Sequence, residues 1–182
     1  MTTSAIAHLR TATWASHQRL EKRVDVKARF ASRAAYLEHL AKLWGFYSAV
    51  EQRIGREVFA QALPDYEARR KLPLLTADLL VLGLEPGAIE QLPRCPSVPD
   101  CTDTANAFGC VYVLEGATLG GRTLLPLAMS RLDLSAGHGA TYLASYGEEV
   151  TAMWRMFGSA LDAWCSLPER RDRAAARRVA AD

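Results

Sequence analysis

The chain has 182 residues, 49% of them hydrophobic and 23% charged, with a formal net charge of +2. That length suits a single domain over residues 1–182, and so balanced a charge excludes the phosphate-neutralising footprint of a nucleic-acid binder. No apolar run nears the ~20 residues that cross a bilayer, and the opening MTTSAIAHLR lacks the apolar core of a signal peptide, so no membrane partner and a cytoplasmic location are expected.

The apolar spacing is helical almost throughout and nowhere alternates with period two over strand length, which predicts an all-α fold. Ser4 can cap a first helix running to about Val24, with Ile6, Leu9, Thr13, His17, Leu20 and Val24 on one face; that face would turn His17 inward. Ser32 can cap a second, whose stripe of Tyr36, Leu37, Leu40, Leu43, Trp44, Tyr47, Val50 and Ile54 stops near Gly55. A third helix is expected over 56–70, and Pro73 suits the first turn of a fourth ending at Gly83. Residues 84–102 contain Pro86, Pro93, Pro96 and Pro99 with no sustained period, which predicts a surface connection with one short helical turn at 87–91.

Thr102 or Asp103 can open the next helix, through Phe108, Val111, Tyr112 and Leu114 into Glu115-Gly116-Ala117-Thr118-Leu119-Gly120-Gly121. The helical period then resumes at Leu124, Leu125, Leu127 and Met129. A last long helix is expected from about Tyr146 to Leu167, before Pro168, with ERRDRAAARRVAAD as a polar helical extension.

Glycines inside a helix cost about 1 kcal/mol each relative to alanine, so Gly116, Gly120 and Gly121 together cost roughly 3 kcal/mol. Two readings account for them: a helix that ends at Gly120-Gly121, or a helix whose backbone lies directly against a flat ligand where Cβ atoms would collide. Gly116 and Gly120 are four apart and share a face. His17, on an apolar helical face, is either a hydrogen-bonded core residue or the neutral imidazole that haem iron takes as a ligand. His8 and His39 fall on more polar surfaces or near helix margins, and His138 lies in a glycine-flanked loop. A di-iron bundle needs Glu-x-x-His pairs, and no histidine here has a glutamate three residues before it. Cys95, Cys101, Cys110 and Cys165 have no CxxC spacing for zinc, and no nucleophile elbow or dinucleotide fingerprint appears.

Leu9-Arg10 through Thr13 and His17 to Leu20-Glu21 follows the pattern L-R-x-x-T-x-x-x-H-x-x-L-E, which resembles the proximal helix of haem oxygenases. Tyr112-Val113-Leu114-Glu115-Gly116-Ala117-Thr118-Leu119-Gly120-Gly121-Arg122 is similar to the distal helix of the bacterial, bacteriophytochrome-associated branch, and the Tyr146-Gly147 start and Trp154, Phe157, Leu161 spacing extend the likeness. The resemblance implies an all-α bundle with haem between the first helix and a glycine-bent distal helix. By the same resemblance His17 is the iron ligand, Gly116, Gly120 and Gly121 flank the oxygen side of the haem, and Arg10 and Arg155 pair with its propionates.

The implied reaction is oxidative cleavage of haem (iron protoporphyrin IX), both cofactor and substrate, to biliverdin, iron and carbon monoxide. It would use O2 and an external electron donor such as a ferredoxin or reductase, and the biliverdin could pass to a bacteriophytochrome. Many members carry Asp just after the first distal glycine, where this chain has Ala117, and many continue past the end of this chain into an aromatic-rich segment. The Ala117 departure keeps a haem carrier or sensor without turnover as an alternative. A thiamin-degrading enzyme of the same fold would need a pocket nucleophile, for which Cys110 is the helical candidate.

Overall fold

The structure is a computed structural model that describes residues 4–167. Among these residues it is helical, with no strand beyond isolated bridges joining Ser135 to His138 and Gly139. Helix α1 spans Ala5–Arg23, capped by Ser4, whose hydroxyl accepts from the Ala7 amide. The short α2, Val26–Arg29, follows under an Asp25 cap. Ser32 caps α3, Arg33–Arg53, which buries Tyr36, Leu40, Trp44, Tyr47 and Val50.

The helix expected over 56–70 is broken. A 3-10 turn covers Arg56–Phe59 and a single turn of helix, α4, covers Tyr66–Arg69. Pro64 lies between them and cannot continue a helical hydrogen-bond ladder, so of the helically spaced Val58, Phe59, Ala62 and Leu63 only the first two fall in a helical piece and the others lie in the connecting turn. Helix α5, Leu72–Val81, begins with Pro73 in its first turn, and its end runs into Gly83 at φ +94°, the left-handed backbone that favours glycine. Helix α6, Pro86–Glu90, is the expected short turn in the 84–102 connection.

Helix α7 runs unbroken over Thr104–Leu132 under an Asp103 cap, through all three glycines and Pro126. A helix end at Gly120-Gly121 is therefore not what those glycines are for. Helix α8, Thr141–Ala144, had no local sequence signal; its first amides, Thr141 and Tyr142, each donate at 2.8 Å to the Asp78 carboxylate of α5. The last helix starts later than expected: a 3-10 turn covers Gly147–Glu149 and α9 covers Val150–Ser166. The proposed extension ERRDRAAARRVAAD lies outside the described residues.

One continuous core links these elements, with Leu9 of α1, Tyr36 and Leu40 of α3, Leu75 and Leu79 of α5, Phe108 and Val111 of α7 and Phe157 and Leu161 of α9 all buried in it. Phe108 is its aromatic hub, edge-on to the Phe59 ring and tilted against those of Trp164 and Phe157, with centroids 4.9 to 6.0 Å away. Helices α1 and α7 both pack on α9, and this shared support places the two sequence motifs.

Candidate functional site

Helix α1 is gripped only at its N-terminal end. The Ala5 amide donates to Asp162 Oδ1 at 2.6 Å, Leu9 is buried, and a Cβ at Gly158 of α9 would stand 3.1 Å from Ile6 Cγ1, so glycine lets the two helices approach. No residue of α1 beyond Leu9 is buried. The inward reading of His17 is corrected accordingly: its side chain is 59% exposed, and Trp14 and Leu20 are 51% and 61% exposed. The physical reason is the reach of α9, which covers the first turns of α1 and leaves the rest of the stripe without protein cover. The indole of Trp14 and the imidazole of His17 lie parallel within 6°, their centroids 6.0 Å apart. His17 Nδ1 faces Glu21 Oε1 at 3.6 Å, which leaves Nε2 turned away from the carboxylate. A carboxylate on one ring nitrogen orients an imidazole for ligation through the other. An open groove of ≈ 560 Å³ runs along α1, lined by Ser4, Ile6, Ala7, Arg10, Thr11 and Trp14.

The glycines of α7 divide between two environments. Gly120 is exposed, and a Cβ there would meet nothing within 4 Å; at Gly116 it would only touch the Trp154 ring at 3.9 Å. Val113 and Ala117 are exposed beside them, so this side of α7 carries only small or apolar side chains. Gly121 is different. It is buried, and a Cβ would stand 2.7 Å from the Leu143 carbonyl oxygen of α8. Close helix packing alone accounts for the missing side chain at Gly121, which does not share the open side of Gly116 and Gly120.

Arg10 and Arg155 are both exposed, on α1 and α9. His39, expected near a polar margin, instead sits within α3 and is partly covered; burial first, then the charges of Arg29 and Lys42, push it down to about 4. His8 is half-buried on α1 and His138 lies in the turn that pairs with Ser135. Cys110 is buried, and its hydrogen bond with Cys101, together with burial, raises its thiol far above the ordinary range. It has neither the exposure nor the thiolate character of a nucleophile, which removes the residue that the thiamin-degrading alternative needed.

Behind the glycines lies a buried ionic cluster to which sequence reasoning assigned no role. Glu115 accepts from Arg69 Nη1 at 2.7 Å, from Lys71 Nζ at 3.0 Å and from the Tyr146 hydroxyl at 2.7 Å. Arg69 Nη1 also donates to the Met153 carbonyl at 3.1 Å, and Nη2 to Asp65 at 2.7 Å. Lys71 further donates to the Arg69 carbonyl and to the Tyr146 hydroxyl. Burial lowers the Lys71 ammonium against the pull of Glu115, while in Arg69 the bonds to Asp65 and Glu115 outweigh burial and raise it. The available signal was Glu115 itself, a charged residue within the buried stripe Val111, Leu114 and Thr118, which needs a cation to be tolerated there.

These features fit haem. Trp14, His17 and Leu20 on α1 offer an apolar face with one imidazole donor, and Val113, Gly116, Ala117 and Gly120 on α7 offer an open side that admits a flat ring. Residues 3–178 match the protein-family model described as Heme oxygenase. The chain is 31% identical over 161 residues to Heme oxygenase PigA of Pseudomonas aeruginosa PAO1, covering 88% of this chain and 78% of that one. It is 32% identical over 97 residues, 53% of each chain, to a Heme oxygenase of Xanthomonas campestris pv. campestris 8004. Its fold is similar to the crystal structure of NO- and CO-bound heme oxygenase from Neisseria meningitidis, with a TM-score of 0.80 at 26% identity over 99% of this chain and 86% of that one.

Proposed function

This chain belongs to the heme oxygenase family, and from that premise we propose that it opens haem to biliverdin between α1 and α7, with His17 as the axial ligand. The enzyme is all-α, and haem is both its prosthetic group and its substrate. The observation that carries the site assignment is the pair of uncovered faces on helices that share α9 as support: Trp14, His17 and Leu20 on one, Val113, Gly116, Ala117 and Gly120 on the other.

Bound haem supplies the iron at which O2 is activated and the porphyrin carbon that is oxidised. The chain's own groups bind and orient. Glu21 faces Nδ1 of His17 at 3.6 Å, which would leave Nε2 for the metal, and the Trp14 ring lies parallel to the imidazole. A neutral imidazole donates less electron density than a thiolate and so suits oxidation of the ring over cleavage of the O–O bond. On the other side, Gly116 and Gly120 would leave backbone and the small or apolar side chains of Val113 and Ala117 facing the space where oxygen reacts. Arg10 borders the groove along α1 and Arg155 projects from α9, each with an exposed guanidinium available to a propionate. Gly121 serves the same wall indirectly, by seating α7 on α8.

The reaction consumes electrons for which this chain has no flavin or nicotinamide motif, so an external donor of ferredoxin or reductase type completes it. A reducing cytoplasm suits that supply, and a bacteriophytochrome is a fitting recipient of the biliverdin. Among the described residues no helix is long and apolar enough to cross a membrane. We treat residues 1–182 as one domain, in keeping with the single continuous core.

The test is a haemin titration followed by addition of a reductant in air. Wild type should develop a Soret band and then a biliverdin spectrum. His17→Ala should keep the apoprotein melting temperature, since an exposed side chain supports little structure, and should lose the imidazole-ligated spectrum and most biliverdin formation. Unchanged ligation in His17→Ala would refute the assignment, and haem binding without biliverdin in wild type would mark a carrier.

A further inference from the structure

Buried ion pairs are a poor source of stability, because desolvation offsets most of the attraction; a cluster of two cations and two carboxylates behind a helix calls for another role. Glu115 and Arg69 are 2% and 1% exposed at their side chains, and Lys71 is 1% exposed. One nitrogen, Arg69 Nη1, donates both to Glu115 on α7 and to the Met153 carbonyl on α9. The next residues on those helices are Gly116 and Trp154, and a Cβ at Gly116 would stand 3.9 Å from the Trp154 ring where α7 packs on α9. A single guanidinium therefore ties α7 to α9 one residue before their contact at the proposed oxygen side. The second terminal nitrogen, Nη2, donates to Asp65, so both prongs of the fork are held.

We propose that Arg69 and Glu115 are positioning residues for haem cleavage: by joining α7 to α9 they set where Gly116 and Gly120 stand over the ring, and hence which porphyrin carbon is attacked. Neither residue needs to touch haem. Arg69 acts through geometry, since its planar fork spans Glu115, the Met153 carbonyl and Asp65 together, which a lysine ammonium of similar charge cannot do. Glu115 acts as the anchor on α7, directly bonded to Gly116. A displacement of about 1 Å at a reacting centre can cost up to roughly 100-fold in rate, so a small shift of this wall is enough to read out. The inference rests on the site assignment above.

The experiment compares wild type, Arg69→Lys, Glu115→Gln and the control Arg70→Lys, which makes the same exchange in the neighbouring pair with Glu51. Haemin affinity, kcat, KM and the distribution of biliverdin isomers are measured on each. Arg69→Lys should bind haemin with a wild-type Soret band and a KM within about twofold, lose on the order of tenfold in kcat, and shift the isomer distribution. Glu115→Gln should shift the isomers in the same way, because a carboxamide cannot accept from Arg69, Lys71 and Tyr146 at once, and Arg70→Lys should leave them as in wild type. A purely structural cluster would lower the melting temperature of the first two variants and leave the isomers of bound haem unchanged; that result overturns the proposal. So does failure of both variants to fold, which would make the cluster a structural requirement alone. If instead the site assignment is at fault, His17→Ala retains wild-type ligation, an outcome independent of any Arg69 result.

Discussion

Gly120 and Gly121 are adjacent in sequence and opposite in consequence, so alanine at each position is a matched experiment within one helix. At Gly120 a new methyl meets nothing within 4 Å. In an exposed helix interior, Gly→Ala gains about 0.4–1 kcal/mol by restricting the unfolded chain. At Gly121 the methyl carbon would sit 2.7 Å from the Leu143 carbonyl oxygen and 3.4 Å from its carbonyl carbon and Cα, all backbone atoms of α8 that no rotamer change can move. Either α8 shifts or α7 does, at a cost of about 1–3 kcal/mol for overpacking. A domain of this size moves roughly 2–4 °C in melting temperature per kcal/mol. The apoprotein of Gly120→Ala should therefore melt about 1–4 °C above wild type, and that of Gly121→Ala about 2–12 °C below it, as followed by far-ultraviolet circular dichroism. On loading with haemin the order reverses in meaning. Gly120→Ala should still show the His17-ligated spectrum but lose turnover or change its biliverdin isomers, since its methyl enters the oxygen side. If Gly120→Ala melts earlier, or is more stable and yet cleaves haem with unchanged rate and isomers, the glycine wall is refuted.

Two further outcomes follow from burial on α1 and from the cap on α8. Leu9→Ala, at a buried position of α1, should cost about 2–5 kcal/mol of apoprotein stability, whereas Leu20→Ala, 61% exposed, should stay within about 0.5 kcal/mol and weaken haemin binding instead. Equal losses of stability in denaturant titrations would contradict this division of the helix. Burial raises the Asp78 carboxyl above its ordinary 3.8 even though it accepts from the Thr141 and Tyr142 amides. A group whose folded pKa is raised adds stability that is fully present below its unfolded value and is lost as pH rises through the folded one. Wild type should therefore lose stability relative to Asp78→Asn as the pH increases from about 4 toward neutrality, and a slope of the opposite sign in paired melts would show that the amide bonds outweigh burial.

Legibility in the sequence follows how local each cause is. The starts of α1, α3 and α7 were readable because Ser4, Ser32 and Asp103 cap within their own turn, and α5 because Pro73 suits only a first turn. Residues 56–70 mislead because Val58, Phe59, Ala62 and Leu63 keep a helical period up to Pro64, which forbids one helix across it. The α8 turn was invisible because its cap, Asp78, comes from another helix. Periodicity placed His17 on a shared face but carries no information on whether protein covers that face, so its orientation was misread while its site assignment rested on the motif. The sequence offers the three glycines as a helix end or as a wall for a flat ligand, and the structure separates Gly121 from the other two, since only contact across helices tells a packing glycine from an open one. Glu115 was within the quoted motif and received no role because its partners, Arg69 and Lys71, lie far back in the chain.

The iron ligand proposed here, His17, sits on α1, a helix that the protein hardly buries. Its first turns are fixed by the Ala5 bond to Asp162, the Ile6 approach to Gly158 and the burial of Leu9, which is enough to aim a rigid rod. A helix carries that aim onward by its own hydrogen bonds, so His17, two turns past Leu9, needs no packing to be placed. The proposed ligation also needs an oriented ring, and Trp14 lies parallel to it from three positions before while Glu21 faces its Nδ1 from four positions after, each about one helical turn away. The apolar area of Trp14 and Leu20 then remains as contact surface for a ligand. Had the same stripe been buried against α9 along its whole length, it would have added to stability but left no face for haem; under the proposed assignment, the short grip at the N-terminal end puts stability and ligation on separate residues of one helix.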